Sequence, residues 1–152
     1  MNEHFQVATA AIPELFAKLV ASAPFNEKGI AAQKGKAGVY VFLKDGVPVH
    51  VGRTRNLRGR LRGHIAKSHF SASFAFKRTR NEHGKIATYV TKGSRSDLLE
   101  DPLFKETFHQ QIELIKKMAV RFVEVADPVQ QYLLELYAHL EFGLPLDEFD
   151  TH

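Results

Sequence analysis

The chain has 152 residues, 44% of them hydrophobic and 25% charged, a balance that suits one globular domain able to bury a core unaided. It has no cysteine, which excludes a disulfide framework, a thiol nucleophile and cysteine-bound zinc. The formal net charge of +4 is modest, but the cations gather in residues 53–80 and the acids towards the C-terminus, a polarity suited to a polyanionic partner.

The opening stretch MNEHFQVATAAIPELFAKLVASAPF is broken by Glu14 and Lys18, so it lacks the apolar run of a signal peptide, and no later segment approaches a membrane span. A cytoplasmic protein without a membrane partner is expected. Pro13 reads as a first-turn residue of a helix that carries Leu15, Phe16, Leu19 and Val20 at helical spacing and that Pro24 ends. Residues 25–37 read as a loop, so 1–37 form a leading helix and loop.

The densest signal is GVYVFLKDGVPVHVGRTRNLRGRLRGH, from Gly38 to His64. A two-residue turn at Asp45-Gly46 would put Tyr40 and His50 on opposite faces of a hairpin. A three-residue loop Lys44-Asp45-Gly46, with the glycine at a left-handed bulge position, sets them directly opposite each other and is the expected turn. In that register Val39, Val41, Leu43, Val47, Val49 and Val51 share a core face, while Tyr40, Phe42, Pro48 and His50 share the other. After Gly52 the period changes. Leu57, Leu61 and Ile65 recur every four residues as the buried stripe of a helix starting near Thr54 or Asn56. Its other faces are basic: Arg53, Arg55, Arg58, Arg60 and Arg62 fall close together, and no acid occurs from Gly46 to Asn81. A phosphate at the start of this helix would meet free backbone N–H groups as well as guanidinium.

Beyond the arginine helix, Phe70, Phe74 and Ala75 read as part of a short helix carrying Lys77, Arg78 and Arg80 outward. Basic side chains interleaved with aromatics can mean nucleic-acid contact by charge and stacking, or a solvated helix whose phenylalanines are core. Residues 81–97 read as an irregular or partly extended connection. Asp101-Pro102 is an N-cap followed by proline at the first helical position, and Phe104, Phe108, Ile112, Ile115 and Ala119 continue it as an amphipathic helix. Val120 to Ala126 alternates and is β-branched, hence a third strand. Asp127-Pro128 repeats the cap and starts a last helix with Leu133, Leu136, Tyr137 and Leu140 as its stripe and Gly143 as its stop.

On these residues the chain resembles the GIY-YIG nucleases. Gly38-Val39-Tyr40 stands where that family has GIY, His50-Val51-Gly52 where it has YIG, and Arg60 and His64 follow at the spacing of the family's helix arginine and histidine. His50 replaces the second tyrosine, which bears on how the attacking water is held. The resemblance implies a small α/β (α+β) fold, a three-stranded antiparallel sheet flanked by helices. One domain over 1–152 is expected, with the nuclease core at 38–147 and an insertion around 66–97.

The resemblance further implies a metal-dependent endonuclease that hydrolyses DNA phosphodiester bonds with Mg²⁺ or Mn²⁺. Tyr40 would be the general base and Glu135 the metal ligand, with Gln131 and His139 one turn either way and Glu141 as a rival near the helix end. Arg60 offers planar, permanently charged donors to phosphoryl oxygens, and His50 and His64 assist. Arg53, Arg55, Arg58, Arg62, Lys77 and Arg78 are assigned to backbone phosphates. Near the end, Asp147 in Pro145-Leu146-Asp147 departs from the family's bracing asparagine. The alternatives are a catalytically inactive nucleic-acid binding module using the basic helix 53–64, a protein-interaction domain, and cleavage of RNA rather than DNA. A pairing of two chains is left open, as are target and pathway.

Overall fold

The structure is a computed structural model and describes residues 1–68, 71–84 and 94–146. Phe70, Asp147 and residues 85–93 of the expected connection lie outside the described residues. The chain divides into two compact units: one comprises Met1–Gly59 and the return from Met118, the other Arg60–Lys117.

The first unit is built on a three-stranded antiparallel sheet with the strand order β2-β1-β3, formed by β1 (Gly38–Lys44), β2 (Val47–Thr54) and β3 (Ala119–Glu124). Two helices of this unit are α1 (Glu3–Ala21) and α6 (Pro128–Phe142). Ile12 and Leu19 of α1 and Leu134 and Ala138 of α6 form one core with Val39, Val41, Leu43, Val51 and Val123 of the sheet. As the central strand, β1 is buried along its length except at Lys44, so Tyr40 and Phe42 are as inaccessible as the valines between them. Gly38 is required by close approach, since a Cβ there would stand 2.0 Å from the Val123 carbonyl oxygen of the adjoining strand.

The hairpin reaches the expected faces by a different route. Lys44 pairs with Val47, so the turn is the two-residue Asp45-Gly46, with both residues at positive φ (51° and 81°). That conformation matches the twist of the strands and suits Asp-Gly. A bulge then shifts the register between Phe42 and Leu43, so that Leu43 pairs with Pro48 and Phe42 with His50. The extra residue restores the parity that a two-residue turn would have lost. Tyr40, Phe42, His50 and Gly52 therefore share one face. Tyr40 opposes Gly52, not His50. Pro48 and Val47 leave their expected faces, and Val47 is 60% exposed.

The leading helix starts ten residues before Pro13, at Glu3, where the Asn2 side chain accepts from the Phe5 N–H. Pro13 lies inside it. The apolar stripe Ala8, Ile12 and Leu19 outweighs the hydrogen bond that proline removes. Part of the expected loop at 25–37 is a 3₁₀ helix, Glu27–Gln33, with Ile30 buried. Phe25 and Val120 exchange both backbone hydrogen bonds along the outer edge of β3, and Ser22 Oγ accepts from the Phe122 N–H.

In α6 the buried face is rotated from the expected stripe. Gln131, Leu134, Ala138 and His139 are buried, whereas Leu136 is 41% and Leu140 60% exposed. Two polar residues of the inner face have backbone partners: Gln131 Nε2 donates to the Val125 carbonyl at 2.6 Å, and His139 Nδ1 lies 2.8 Å from the Glu135 carbonyl.

The helix α2 (Leu57–His64) leaves the first unit at Gly59 and begins the second at Arg60. Thr54 and Asn56 side chains accept from the N–H groups of Asn56 and Gly59, which fixes its start. The second unit also holds α3 (Ser73–His83), the short α4 (Arg95–Leu98) and α5 (Pro102–Lys116). Its core joins α3 to α5 through Phe76, whose ring lies 5.4 Å from that of Phe104 and 5.8 Å from that of Phe108. A polar chain runs beside it: Arg78 Nε donates to Gln111 Oε1 at 2.7 Å, and Gln111 Nε2 donates to Glu82 Oε2 at 3.1 Å.

Candidate active site

In the sheet unit, alternation along β1 and β2 gathers three rings on one face. The Tyr40 ring lies 5.8 Å from Phe42 and 6.2 Å from His50, and Phe42 lies 6.1 Å from His50. All three are buried. Across the strand pair, the Tyr40 side chain fills the space over Gly52. A Cβ built on that glycine would stand 2.3 Å from the Tyr40 hydroxyl oxygen, so only glycine fits beneath the phenol.

The next residue of β2 faces the other way. Arg53 pairs with Val39, on the face that α6 covers, and its Nε lies 3.0 Å from Glu135 Oε2. The same guanidinium stacks over the Tyr132 ring, 3.7 Å from its centroid and one turn before Glu135. Glu135 keeps only 12% of its side chain exposed. Burial pushes its carboxyl up to about 7, and the charge of Arg53 offsets this only in part. Oε2 has the distance of an ion pair but no aligned hydrogen bond.

That under-satisfied, buried oxygen is the feature that fits a divalent cation. Among the described residues no group of three or more His, Asp or Glu side chains is placed to hold a metal. A single carboxylate completed by water matches the preference of Mg²⁺, which keeps several waters, rather than a closed all-protein cage. Glu141, the rival ligand, is exposed near the end of α6.

In the second unit, Arg60 is anchored. Its guanidinium donates to the Ser71 carbonyl at 2.9 Å and to Ser73 Oγ at 2.8 Å. His64 is fully buried, edge-on to Phe74 at 6.3 Å. Arg55 and Arg62 are exposed and Arg58 half-buried. Lys77 does not point outward: it is 7% exposed, because the face of α3 that carries it is the inner one. Arg78 is tied to Gln111.

Tyr40, His50 and Gly52 are thus assembled on one face of the sheet, with Arg53, Tyr132 and Glu135 on the other, meeting at consecutive residues of β2. The part of Arg53 and Tyr132 was not read from the sequence. Its signal was the acid-free run itself, which leaves the carboxylate partner of any arginine there to come from a distant element. No family model, no curated protein and no solved structure matches the chain.

Proposed function

We propose that the chain is a divalent-metal-dependent endonuclease of the GIY-YIG type that hydrolyses DNA phosphodiester bonds. One observation carries this reading: Gly52 and Arg53, consecutive on edge strand β2, receive a phenol from one face of the sheet and a buried carboxylate from the other. Tyr40 is 1% exposed, so a phosphodiester along that edge meets the phenol only where the strand edge opens to admit it. Tyr40 takes the proton of the attacking water, and His50 beside it fixes the orientation of the phenol. Glu135 holds Mg²⁺ or Mn²⁺. When bound, the cation supplies Lewis-acid stabilisation of the leaving oxygen. Arg53, released from Glu135, neutralises charge on the non-bridging oxygens, and Arg60 keeps its assignment as a phosphate-binding guanidinium. His64, the last residue of the arginine helix, acts through packing against Phe74, and Arg55, Arg58 and Arg62 contact flanking phosphates.

A second reading is favoured by the two hydrogen bonds that tie Arg60 to Ser71 and Ser73: a nucleic-acid binding module in which Arg60 is structural. It predicts salt-sensitive binding without metal dependence. Cleavage of supercoiled, linear, single-stranded and branched DNA, with RNA alongside, in Mg²⁺, Mn²⁺ or EDTA separates the two. Glu135→Ala is purified in parallel. Metal-dependent cutting lost in that variant is the expected result, and binding without cutting on every substrate would transfer the assignment to the binding module.

A further inference from the structure

The second unit carries an open groove of about 750 Å³ lined by residues of α5 and by Lys67. Lys105 and His109 on α5 and Lys117 just past its end are among its lining residues. Lys105 and His109, four residues apart, are neighbours on one face of the helix.

The cationic end is the one near Lys67. Burial lowers the His109 pKa, and Lys67 and Lys105 both lie close enough to lower it further, so two ammonium groups converge on the imidazole. Both lysines are exposed, and among the described residues neither is paired with a carboxylate. The groove's own carboxylates are Glu106 and Glu113. Glu113 is neutralised by Lys116 at 3.2 Å. Lys67 also belongs to the stretch from Gly46 to Asn81 that contains no acid at all.

We propose that this groove is a second nucleic-acid contact, in which Lys67 and Lys105 grip successive phosphates of a phosphodiester strand while His109 hydrogen-bonds between them. It rests on the nuclease reading for the identity of the polyanion. It also supplies cationic contacts in place of Lys77 and Arg78, which the fold turns inward or ties to Gln111.

The test is equilibrium binding of duplex and single-stranded DNA by fluorescence anisotropy between 50 and 300 mM salt, for the full chain. Lys67→Ala/Lys105→Ala should weaken binding and make the slope of log K against log salt shallower, by about 1.8 on duplex and about 1.4 on single strand. Lys67→Arg/Lys105→Arg should keep the wild-type slope, and Glu106→Gln, which removes a repulsive charge from the same wall, should tighten binding. Cleavage at saturating DNA should survive in all three. An unchanged slope in the double alanine variant overturns the groove, as does a wild-type protein that binds neither DNA. A wild-type protein that binds DNA but cuts none overturns the nuclease reading instead, without altering the slope difference.

Discussion

Arg53 and Glu135 form a partly buried ion pair, 3.0 Å between Nε and Oε2, whose guanidinium is also held flat against Tyr132. The carboxylate is the more deeply buried partner, with 12% of its side chain exposed against 31% for the arginine. One guanidinium cannot replace the water that Glu135 has lost, so its carboxyl retains a proton up to about pH 7. Removing the arginine, removing the charge of the acid and supplying a stronger cation should each shift this balance differently.

The pH dependence of stability follows from the direction of that shift. The folded chain holds the Glu135 proton more tightly than the unfolded chain, where the group titrates near 4.5. Its contribution is fully present below pH 4.5, falls as the pH rises to about 7, and is level above that. The span corresponds to about 3 kcal/mol. Urea midpoints measured from pH 4 to 8 should show Glu135→Gln matching the wild type at the acid end and exceeding it at the alkaline end. Parallel curves across the range would mean that the carboxyl is not held protonated.

A bound cation takes the place of that proton. Mn²⁺ or Mg²⁺ should therefore raise the melting temperature of the wild type more at pH 8 than at pH 5.5. At a hundredfold excess over Kd, the gain at the alkaline end is about 2.7 kcal/mol. Glu135→Gln should show no metal-dependent shift. An equal shift in that variant, read by scanning calorimetry, would move the metal to another site.

Gly52→Ala should destabilise the sheet unit by about 2 kcal/mol, an overpacking cost, because the new methyl would stand 2.3 Å from the hydroxyl oxygen and 2.4 Å from Cζ of a tyrosine that is 1% exposed. Tyr40→Phe in the same background should recover only part of the loss, since the ring carbon remains in the way. Denaturation midpoints of the single and double variants check this. Cleavage by Gly52→Ala should fall even where the chain is folded, since the phenol must shift to admit the methyl.

Arg60 has a structural and a chemical reading, and its neighbours separate them. Losing its two hydrogen bonds in Arg60→Ala should cost about 2 kcal/mol, whereas Ser73→Ala removes one partner and should cost about 1 kcal/mol. If the guanidinium meets phosphate, Arg60→Lys loses cleavage at temperatures where it is folded, while Ser73→Ala keeps it. Activity that merely tracks melting temperature across all three variants would assign Arg60 to the scaffold.

The features legible in the sequence were those set by local chemistry. Asp101-Pro102 and Asp127-Pro128 each cap a helix through the aspartate side chain, as their spacing announces. Phe104, Phe108, Ile112 and Ile115 form the buried stripe of α5, and the sheet of two hairpin strands and a late third strand was readable from alternation. What alternation could not reveal was the compensation between a tight turn and a bulge. Two irregularities that cancel leave Tyr40 and His50 on one face, as a single three-residue loop would, while changing every partner. The burial of Gln131, His139 and Lys77 was illegible for another reason. A polar side chain goes inward when the fold supplies it a partner, as the Val125 carbonyl does for Gln131, and that partner lies on another element.

The chain before the hairpin also changes what the sheet can do to its neighbours. Hydrogen bonds from Phe25 and Ser22 occupy the outer backbone groups of Val120 and the N–H of Phe122, and on the opposite margin Pro48 has no N–H to offer beside a bulged register. Both margins of a sheet rich in valine and phenylalanine are thereby poor templates for a further strand. Truncation before residue 26 would uncover one of them and strip Ile12 and Leu19 from the core, and the expected phenotype is unfolding accompanied by self-association into β-rich aggregates.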